Sequence, residues 1–175
     1  MESTLKNIVL VGPMGSGKTT VGRRLAYELN QKFFDTDHEI IDKTGVTIDH
    51  IFDVEGETGF RQRESKILEN LCQMSNIILA TGGGIVILPK NREILKNAGM
   101  VVYLFSTVDQ LLRRTAKSKT RPLLENSTDR RKTITELLEA RDVYYREVAS
   151  VIVSTTGKKL HEVINMIKQE TENVD

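Results

Sequence analysis

Residues 12–20 combine glycine, lysine and threonine in a spacing suited to phosphate binding. The segment Gly12-Pro13-Met14-Gly15-Ser16-Gly17-Lys18-Thr19 matches the pattern G-x-x-x-x-G-K-[ST] at every position. The glycines let backbone N–H groups curl around phosphate oxygens, the lysine supplies a cation for the β- and γ-phosphates, and the threonine hydroxyl is a hard ligand for Mg²⁺. The segment therefore predicts a nucleoside triphosphate site, and its expected contact residues are Gly15, Ser16, Gly17, Lys18, Thr19 and Thr20.

Two carboxylates, Asp35 and Asp37, lie at the end of a short predicted strand, Lys32-Phe33-Phe34-Asp35. Two carboxylates at the end of a strand can have different roles. We expect Asp35 to orient the Mg²⁺ shell through water and Asp37 to accept a proton from an attacking hydroxyl. The alternative is that Asp37 caps the helix that follows, and the two roles are compatible.

Three consecutive glycines, Gly82-Gly83-Gly84, follow Thr81 and the apolar segment 76–80. Many ATPases carry a magnesium-binding aspartate after this apolar run, and its absence argues against a water-activating motor or a GTPase. Consecutive glycines cost backbone entropy on folding. We therefore expect backbone contact with a small ligand here, with a plain loop as the alternative.

A dense cationic segment runs from Lys117 to Leu124 and is preceded by Arg113 and Arg114. A nucleic-acid patch is one interpretation, but the segment has no interleaved aromatic residues and the chain as a whole is nearly neutral. A lid over about 115–126 fits better, because it would lay Arg121 on the transferring phosphate and exclude water from it.

The remaining pattern predicts the elements that bring these residues together. Apolar runs indicate strands at 6–11, 32–35, 76–80, 100–105 and 150–154. Helical patterns occupy 18–29, 37–43, 47–54, 58–74, 89–98, 107–116, a long stretch ending near 145, and 160–168. Strands alternating with helices predict an α/β fold with a parallel sheet covered on both faces. Because ligands bind beyond the carboxyl ends of such strands, the three motifs are expected in one crevice.

Composition excludes several classes of protein. The chain of 175 residues is expected to form one domain, 1–175, and its 25 basic residues nearly balance 24 acidic ones. A single cysteine, Cys72, excludes an internal disulfide and fits a reducing compartment; its apolar neighbours predict a buried, inert thiol. No apolar run approaches the ~20 residues of a membrane helix, and the first strand begins too early to leave room for a signal peptide. We expect a cytoplasmic protein without membrane or nucleic-acid partners.

Taken together, the motifs resemble those of the shikimate kinase family, and the resemblance extends over the whole chain. Its residues are the loop 12–19, Asp35-Thr36-Asp37, Thr44-Gly45, Ile51-Phe52, Gly56-Glu57, Phe60-Arg61, Glu64, Gly82-Gly83-Gly84, Arg121-Pro122-Leu123-Leu124, and Arg141 with Tyr145. The resemblance implies a three-layer P-loop NTPase fold of the nucleoside-monophosphate-kinase type, with a five-stranded parallel sheet flanked by helices. It also implies ATP-dependent phosphorylation of the 3-hydroxyl of shikimate, a step toward chorismate and the aromatic amino acids.

The resemblance also assigns roles to individual residues. It implies that Asp37, Arg61, Gly83 and Arg141 bind shikimate, with substrate-binding helices at about 37–74. Asp37, Lys18 and Arg121 would be catalytic, Thr19 would bind Mg²⁺, and Arg121 would also contact ATP. Arg114 matches the adenine-stacking arginine, and Lys158 lies in a variable loop that contacts adenine in the family. The expected partners are the small-molecule substrates ATP and shikimate, and we expect a monomer. One departure is Val143, where the family usually has proline.

The chemistry of the implied substrate agrees with these residue types. Two arginines can clamp a carboxylate through forked hydrogen bonds, and one carboxylate can bind a hydroxyl while acting as its base. The alternatives are another small-molecule kinase, such as a gluconate or nucleoside-monophosphate kinase, and a P-loop ATPase that transfers phosphate to no metabolite. A nucleotide acceptor would favour aromatic stacking, and the chain has no tryptophan.

Overall fold

The structure, a computed structural model, describes residues 6–116, 124 and 128–173. Its centre is one parallel sheet of five strands in the order β2-β3-β1-β4-β5. The strands are β1 (Ile8–Val11), β2 (Lys32–Asp35), β3 (Ile77–Ala80), β4 (Met100–Phe105) and β5 (Val151–Ser154). The predicted sheet is confirmed, and each strand coincides with an apolar run.

Helices connect the strands and cover the sheet. They are α1 (Lys18–Leu29), α2 (Thr36–Thr44), α3 (Ile48–Cys72), α4 (Pro89–Lys96), α5 (Val108–Thr115), α6 (Arg130–Val148) and α7 (Leu160–Glu172). Their ends differ from the predicted ends by a few residues, which is the usual uncertainty at helix termini. Within the described ranges, none of these helices has the length and apolarity needed to cross a membrane.

Helix α3 is where the predicted and observed elements differ most. We expected two helices, 47–54 and 58–74, with Thr58 as a possible cap, whereas the structure has helical residues from Ile48 to Cys72. The predicted break is nevertheless present, because Gly56 has φ 70° and ψ −178°, which are not helical angles. The break therefore lies at one residue inside a kinked helix, and Thr58 lies within its second part.

The two faces of the sheet carry separate hydrophobic cores, because successive strand side chains point in opposite directions. One face packs against α3, α4 and α6; its strand residues are Val9, Val11, Ile77, Leu79, Val101 and Tyr103. The other face packs against α1 and α7; its strand residues are Ile8, Leu10, Ile78, Met100, Val102, Leu104 and Val153. The result is the three-layer arrangement expected of a doubly covered parallel sheet.

The topology brings the functional motifs to one edge of the sheet. All five strands are parallel, so their carboxyl ends share that edge. The loop at 12–17 follows the central strand β1, Asp35 ends β2, and Gly82 begins the turn after β3. The connection from β1 runs to β2 on one side, whereas the connection from β3 crosses β1 to reach β4 on the other, and this divergence opens a crevice near β1.

Candidate active site

The loop between β1 and α1 is shaped by glycines that other residues could not replace. Gly12 has φ 147°, and a Cβ there would lie 2.8 Å from the carbonyl oxygen of Leu104. Gly17 has φ 94° and precedes α1 without a side-chain cap. The first N–H groups of α1 are thus left for another acceptor, and the helix dipole favours an anion there.

Lys18 is buried and its ammonium group is held over this loop. Its Nζ donates to the carbonyl oxygen of Gly12 at 2.8 Å and to that of Pro13 at 2.9 Å, and lies 3.4 Å from Oγ of Ser16. The cation is therefore preorganised beside the helix N-terminus, where phosphate oxygens would bind.

Asp35 links the phosphate loop to the start of α2. Its Oδ2 accepts a hydrogen bond from Oγ1 of Thr19 at 2.8 Å. Its Oδ1 accepts from the backbone N–H groups of Asp37 at 2.9 Å and His38 at 3.3 Å, which makes Asp35 the N-cap of α2. The interpretation of Asp37 as the cap was wrong: α2 begins at Thr36, one residue earlier than predicted.

The Thr19–Asp35 pair fits a magnesium site. Mg²⁺ prefers hard oxygen ligands, retains several waters, and is usually held by one or two protein groups together with substrate phosphates. A hydroxyl and a carboxylate already hydrogen-bonded to each other beside the phosphate loop provide such a donor set.

A cavity of about 620 Å³ opens above this edge of the sheet. Its lining includes the nucleotide candidates Gly15, Gly17, Lys18, Thr19, Thr20 and Arg114, together with Asp35, Asp37, Arg61, Gly83 and Arg141. Two sequence-predicted residues do not line it: Ser16 is buried beneath the loop, and Lys158 lies apart from it. Arg121 and most of the predicted lid lie outside the described residues.

Arg61 is buried and held by carboxylates on its own helix. Its Nη1 donates to Oε1 of Glu64 at 2.9 Å, and its Nη2 donates to Oε1 of Glu57 at 3.3 Å. Glu64 is itself almost fully buried, and its Oε2 has no hydrogen-bond partner among the described residues. Burial raises the pKa of Glu64 to about 7, although the cations of Arg61 and Arg141 oppose that shift.

The three glycines after β3 leave room for the charged groups around them. A Cβ on Gly82 would lie 2.8 Å from Oε2 of Glu64 and 3.2 Å from Oδ1 of Asp37, and one on Gly84 would overlap the guanidinium of Arg61. The turn therefore packs closely against the side chains that line the cavity, and its backbone also accepts a hydrogen bond from Tyr145 and donates one to Thr36. The predicted backbone contact with a ligand stays a prediction. Sequence reasoning did not identify this packing, because it depends on residues distant in the chain.

An apolar wall completes the acceptor side of the cavity. Phe52 and Phe60, from the two parts of α3, have ring centroids 4.7 Å apart. Ile41 and Ile48 line the same cavity, as does His38. The aromatic pair was among the sequence motifs, but the two isoleucines and the histidine were not predicted to line the site. Ile41 could have been predicted, because it lies four residues after Asp37 and therefore on the same face of the helix.

Arg114 connects α5 to the phosphate loop. Its Nη1 donates to the carbonyl oxygens of Gly15 and Ser16, both at 3.1 Å, and to Oγ1 of Thr155 at 3.4 Å. Burial lowers the pKa of Arg114 from its usual range. Lys158 is related to this group only indirectly, since its backbone N–H donates to the carbonyl oxygen of Thr155 at 3.3 Å.

Comparison with known proteins gives one consistent result. The family model described as "Shikimate kinase" matches residues 14–172. The chain is 47% identical over 173 residues to a shikimate kinase of Psychrobacter sp. (strain PRwf-1), covering 97% of this chain and 96% of that protein. It is 51% identical over 166 residues to one of Nitrosococcus oceani, covering 94% and 86%.

Solved structures agree with these sequence matches. A shikimate kinase from Acinetobacter baumannii, in complex with shikimate, superposes with a TM-score of 0.95 at 46% identity, covering 98% of this chain and 96% of that one. A gluconokinase from Sinorhizobium meliloti superposes with a TM-score of 0.59 at 22% identity, covering 98% and 96%. The second match is evidence for a shared fold only.

Proposed function

The chain belongs to the shikimate kinase family, and from that premise we propose how its cavity transfers the γ-phosphoryl group of ATP to the 3-hydroxyl of shikimate. The protein is a kinase of the α/β P-loop class. The observation that carries the proposal is a single cavity lined by the phosphate-loop lysine, Lys18, and by two buried arginines, Arg61 and Arg141. A triphosphate and a small carboxylate can therefore bind in the same cavity.

The nucleotide half of the site is proposed to consist of the phosphate loop and α5. The backbone of residues 15–20 would surround the phosphates, with Ser16 supporting the loop from beneath. Arg114 already lies against the loop carbonyls and would stack on the adenine. Arg121 would contact the phosphates from the lid at about 115–126, and Lys158 would contact the adenine; both assignments rest on the family resemblance.

The acceptor half is proposed to consist of α2, the glycine turn and α6, together with α3, so that the substrate-binding helices span about 37–74. Arg61 and Arg141 would grip the carboxylate of shikimate with forked hydrogen bonds. Gly83 would contact the ring substituents, and Asp37 would bind the hydroxyls. The apolar wall of Phe52 and Phe60 suits the carbon face of a ring.

Phosphoryl transfer then depends on positioning and charge. Asp37 accepts the proton of the 3-hydroxyl as its oxygen bonds to the γ-phosphorus, while the bond from that phosphorus to the bridging oxygen of ADP breaks. Lys18 and Arg121 neutralise charge on the phosphoryl oxygens, which is the main protein contribution in this reaction class. Mg²⁺, when bound, supplies further charge neutralisation; Thr19 would hold it directly and Asp35 through water.

We further propose that residues 1–175 act as one unit, as a cytoplasmic monomer whose partners are its small-molecule substrates. The near-neutral charge and the reducing environment suggested by the single Cys72 support this assignment. The Cys72 side chain is half-buried and not fully buried as predicted, and this partial burial raises the pKa of its thiol to about 11. The thiol therefore stays protonated near neutral pH, as expected of an inert side chain.

The test is ADP release measured with ATP and Mg²⁺, with and without shikimate. A kinase requires the acceptor, so release should rise sharply on adding shikimate and should not rise with gluconate. A Lys18→Ala variant is the control; loss of a preorganised cation should lower turnover by about 10²–10³-fold. Equal ADP release with and without shikimate would indicate an ATPase and contradict the proposal.

A further inference from the structure

Tyr145 makes a contact that joins the two halves of the acceptor site. It lies on α6 one helical turn after Arg141, and its side chain is completely buried. Its hydroxyl donates a hydrogen bond to the carbonyl oxygen of Gly83 at 2.6 Å, across 62 residues of sequence. Helix α6, which carries the proposed shikimate-binding residue Arg141, is thereby bonded to the glycine turn, which carries the proposed shikimate-binding residue Gly83.

Gly83 lies where the nucleotide and acceptor halves of the cavity meet. A Cβ on this residue would lie 3.3 Å from the backbone nitrogen of Met14 in the phosphate loop, 3.6 Å from Nη1 of Arg141 and 3.7 Å from the carbonyl oxygen of Gly12. The turn thus has neighbours on both sides at close to van der Waals distance. A small displacement of Gly83 would change its spacing from Arg141, the other proposed acceptor residue in this group.

The ring of Tyr145 is fixed independently of its hydroxyl. Its centroid lies 5.0 Å from that of Tyr103, which is equally buried on β4. Tyr103 directs its own hydroxyl elsewhere, to Oδ1 of Asp142 at 2.7 Å. The two residues therefore form a matched pair: both rings belong to the core, but only one hydroxyl reaches the glycine turn.

The hydroxyl of Tyr145 remains a donor throughout the working pH range. Burial raises its pKa to about 12, although the nearby guanidinium of Arg141 opposes that shift. A backbone carbonyl can only accept, so the direction of the bond is settled. Without it, the carbonyl of the half-buried Gly83 would lose its described partner, and the glycine turn would lose the bond that holds it to α6.

We propose that Tyr145 is a positioning residue that sets the spacing between Gly83 and Arg141, and thereby the affinity for shikimate. The inference rests on the proposed function, in which these two residues bind the acceptor. If Tyr145 only stabilised the fold, its loss would affect nucleotide binding and acceptor binding alike. A positioning role predicts an effect on the acceptor alone, because the phosphate loop is held by its own hydrogen bonds to Lys18 and Arg114.

The experiment compares Tyr145→Phe with Tyr103→Phe. Each change removes one hydroxyl and keeps a core ring, so the fold is retained and both variants lose one partly buried hydrogen bond. The KM for shikimate, the KM for ATP, kcat and the melting temperature are measured for both variants and for wild type. Tyr145→Phe should raise the KM for shikimate about tenfold, the equivalent of one buried hydrogen bond, and leave the KM for ATP unchanged.

Tyr103→Phe should lower the melting temperature without changing either KM. The proposal is overturned if Tyr145→Phe leaves the KM for shikimate at the wild-type value, if it raises both KM values by the same factor, or if Tyr103→Phe gives the same increase. These outcomes differ from a failure of the proposed function, in which wild type itself would release no additional ADP on adding shikimate.

Discussion

At the scale of single residues, two carboxylates of the same type, two positions apart, are assigned different roles by their hydrogen bonds. Both oxygens of Asp35 are occupied, one by the amides that begin α2 and the other by Thr19. Asp37 lies in the first turn of that helix and lines the cavity close to the position that a side chain on Gly82 would occupy. Asp35 therefore holds the start of α2 and the phosphate loop together, and Asp37 is the one of the two that we propose binds the acceptor.

Replacing Asp37 tests its role as base. Asp37→Asn keeps the shape and a hydrogen-bond acceptor but cannot take a proton, so kcat should fall by about 10²–10⁴-fold. The melting temperature should stay close to that of wild type, since the cap of α2 is Asp35. The matched control is Asp35→Ala, which removes the cap and should destabilise the protein by about 0.5–2 kcal/mol. An active Asp37→Asn enzyme would contradict the assignment.

Glu64 gives a prediction about pH. Its pKa is raised from 4.5 to about 7, chiefly by burial, and the groups that face it are Arg61 on its own helix, Asp37 on α2, and Arg141 and Tyr145 on α6. The folded state thus favours the protonated carboxyl. The stability that Glu64 contributes is fully present below pH 4.5, falls as the pH rises toward 7, and is lost above that.

The measurement is the free energy of unfolding of wild type and Glu64→Gln between pH 4 and pH 8. Glutamine has no proton to lose, so the stability of wild type relative to the variant should decline across that interval and then level off. A stability difference that is the same at every pH would mean that the carboxyl is not shifted. All other titrating groups are common to the two proteins, so a pH-dependent difference in their stability reports on Glu64 alone.

At the scale of the elements, the sequence predicted what depends on local pattern. Apolar runs located all five strands, and Gly56 marked the break in α3. Contacts between distant segments were not predictable in the same way. The glycine turn fits around Arg61 and Glu64 only once β3 and α3 are packed together, and the Tyr145–Gly83 bond depends on where α6 crosses the sheet. No periodicity in the sequence reports either contact.

The kink at Gly56 separates the part of α3 that bears Phe52 from the part that bears Arg61. Its angles, φ 70° and ψ −178°, belong to a region that is essentially restricted to glycine. Gly45, the C-cap of α2, has φ 71° and ψ 10°, a left-handed conformation that other residues can adopt at a smaller cost. A Cβ would meet no atom within 4 Å at either position, so the comparison isolates backbone strain.

We expect Gly56→Ala to destabilise the protein by about 1–3 kcal/mol. Gly45→Ala should cost less, about 1 kcal/mol. The measurement is chemical denaturation of both variants beside wild type. Gly56→Ala should also raise the KM for shikimate, since the alanine variant cannot keep Phe52 and Arg61 in their present relation. Equal destabilisation by the two variants would show that the kink is not held by the glycine.

At the scale of the whole molecule, the parallel sheet joins residues that are far apart in sequence. Arg61 reaches the cavity from α3, and Arg141 reaches it from α6 on the same side of the sheet. Their convergence was expected from the family resemblance and from no feature of the chain's own pattern. The structure brings both arginines to one cavity in a buried state, which is consistent with a shared anionic ligand.

The convergence can be tested with a ligand as well as with mutations. Arg61→Lys and Arg141→Lys keep the charge but lose the planar fork, a change that is not conservative where two hydrogen bonds are made to one carboxylate. Each should raise the KM for shikimate by about 10-fold or more, as expected when a buried charge pair loses a partner, while ATP binding stays unchanged.

An analogue with a neutral amide in place of the carboxylate should bind wild type poorly, and the variants should lose much less affinity than wild type when this analogue replaces shikimate. If all three proteins lost the same affinity for the amide, the arginines would not be reading the carboxylate, and another part of the cavity would have to recognise the acceptor.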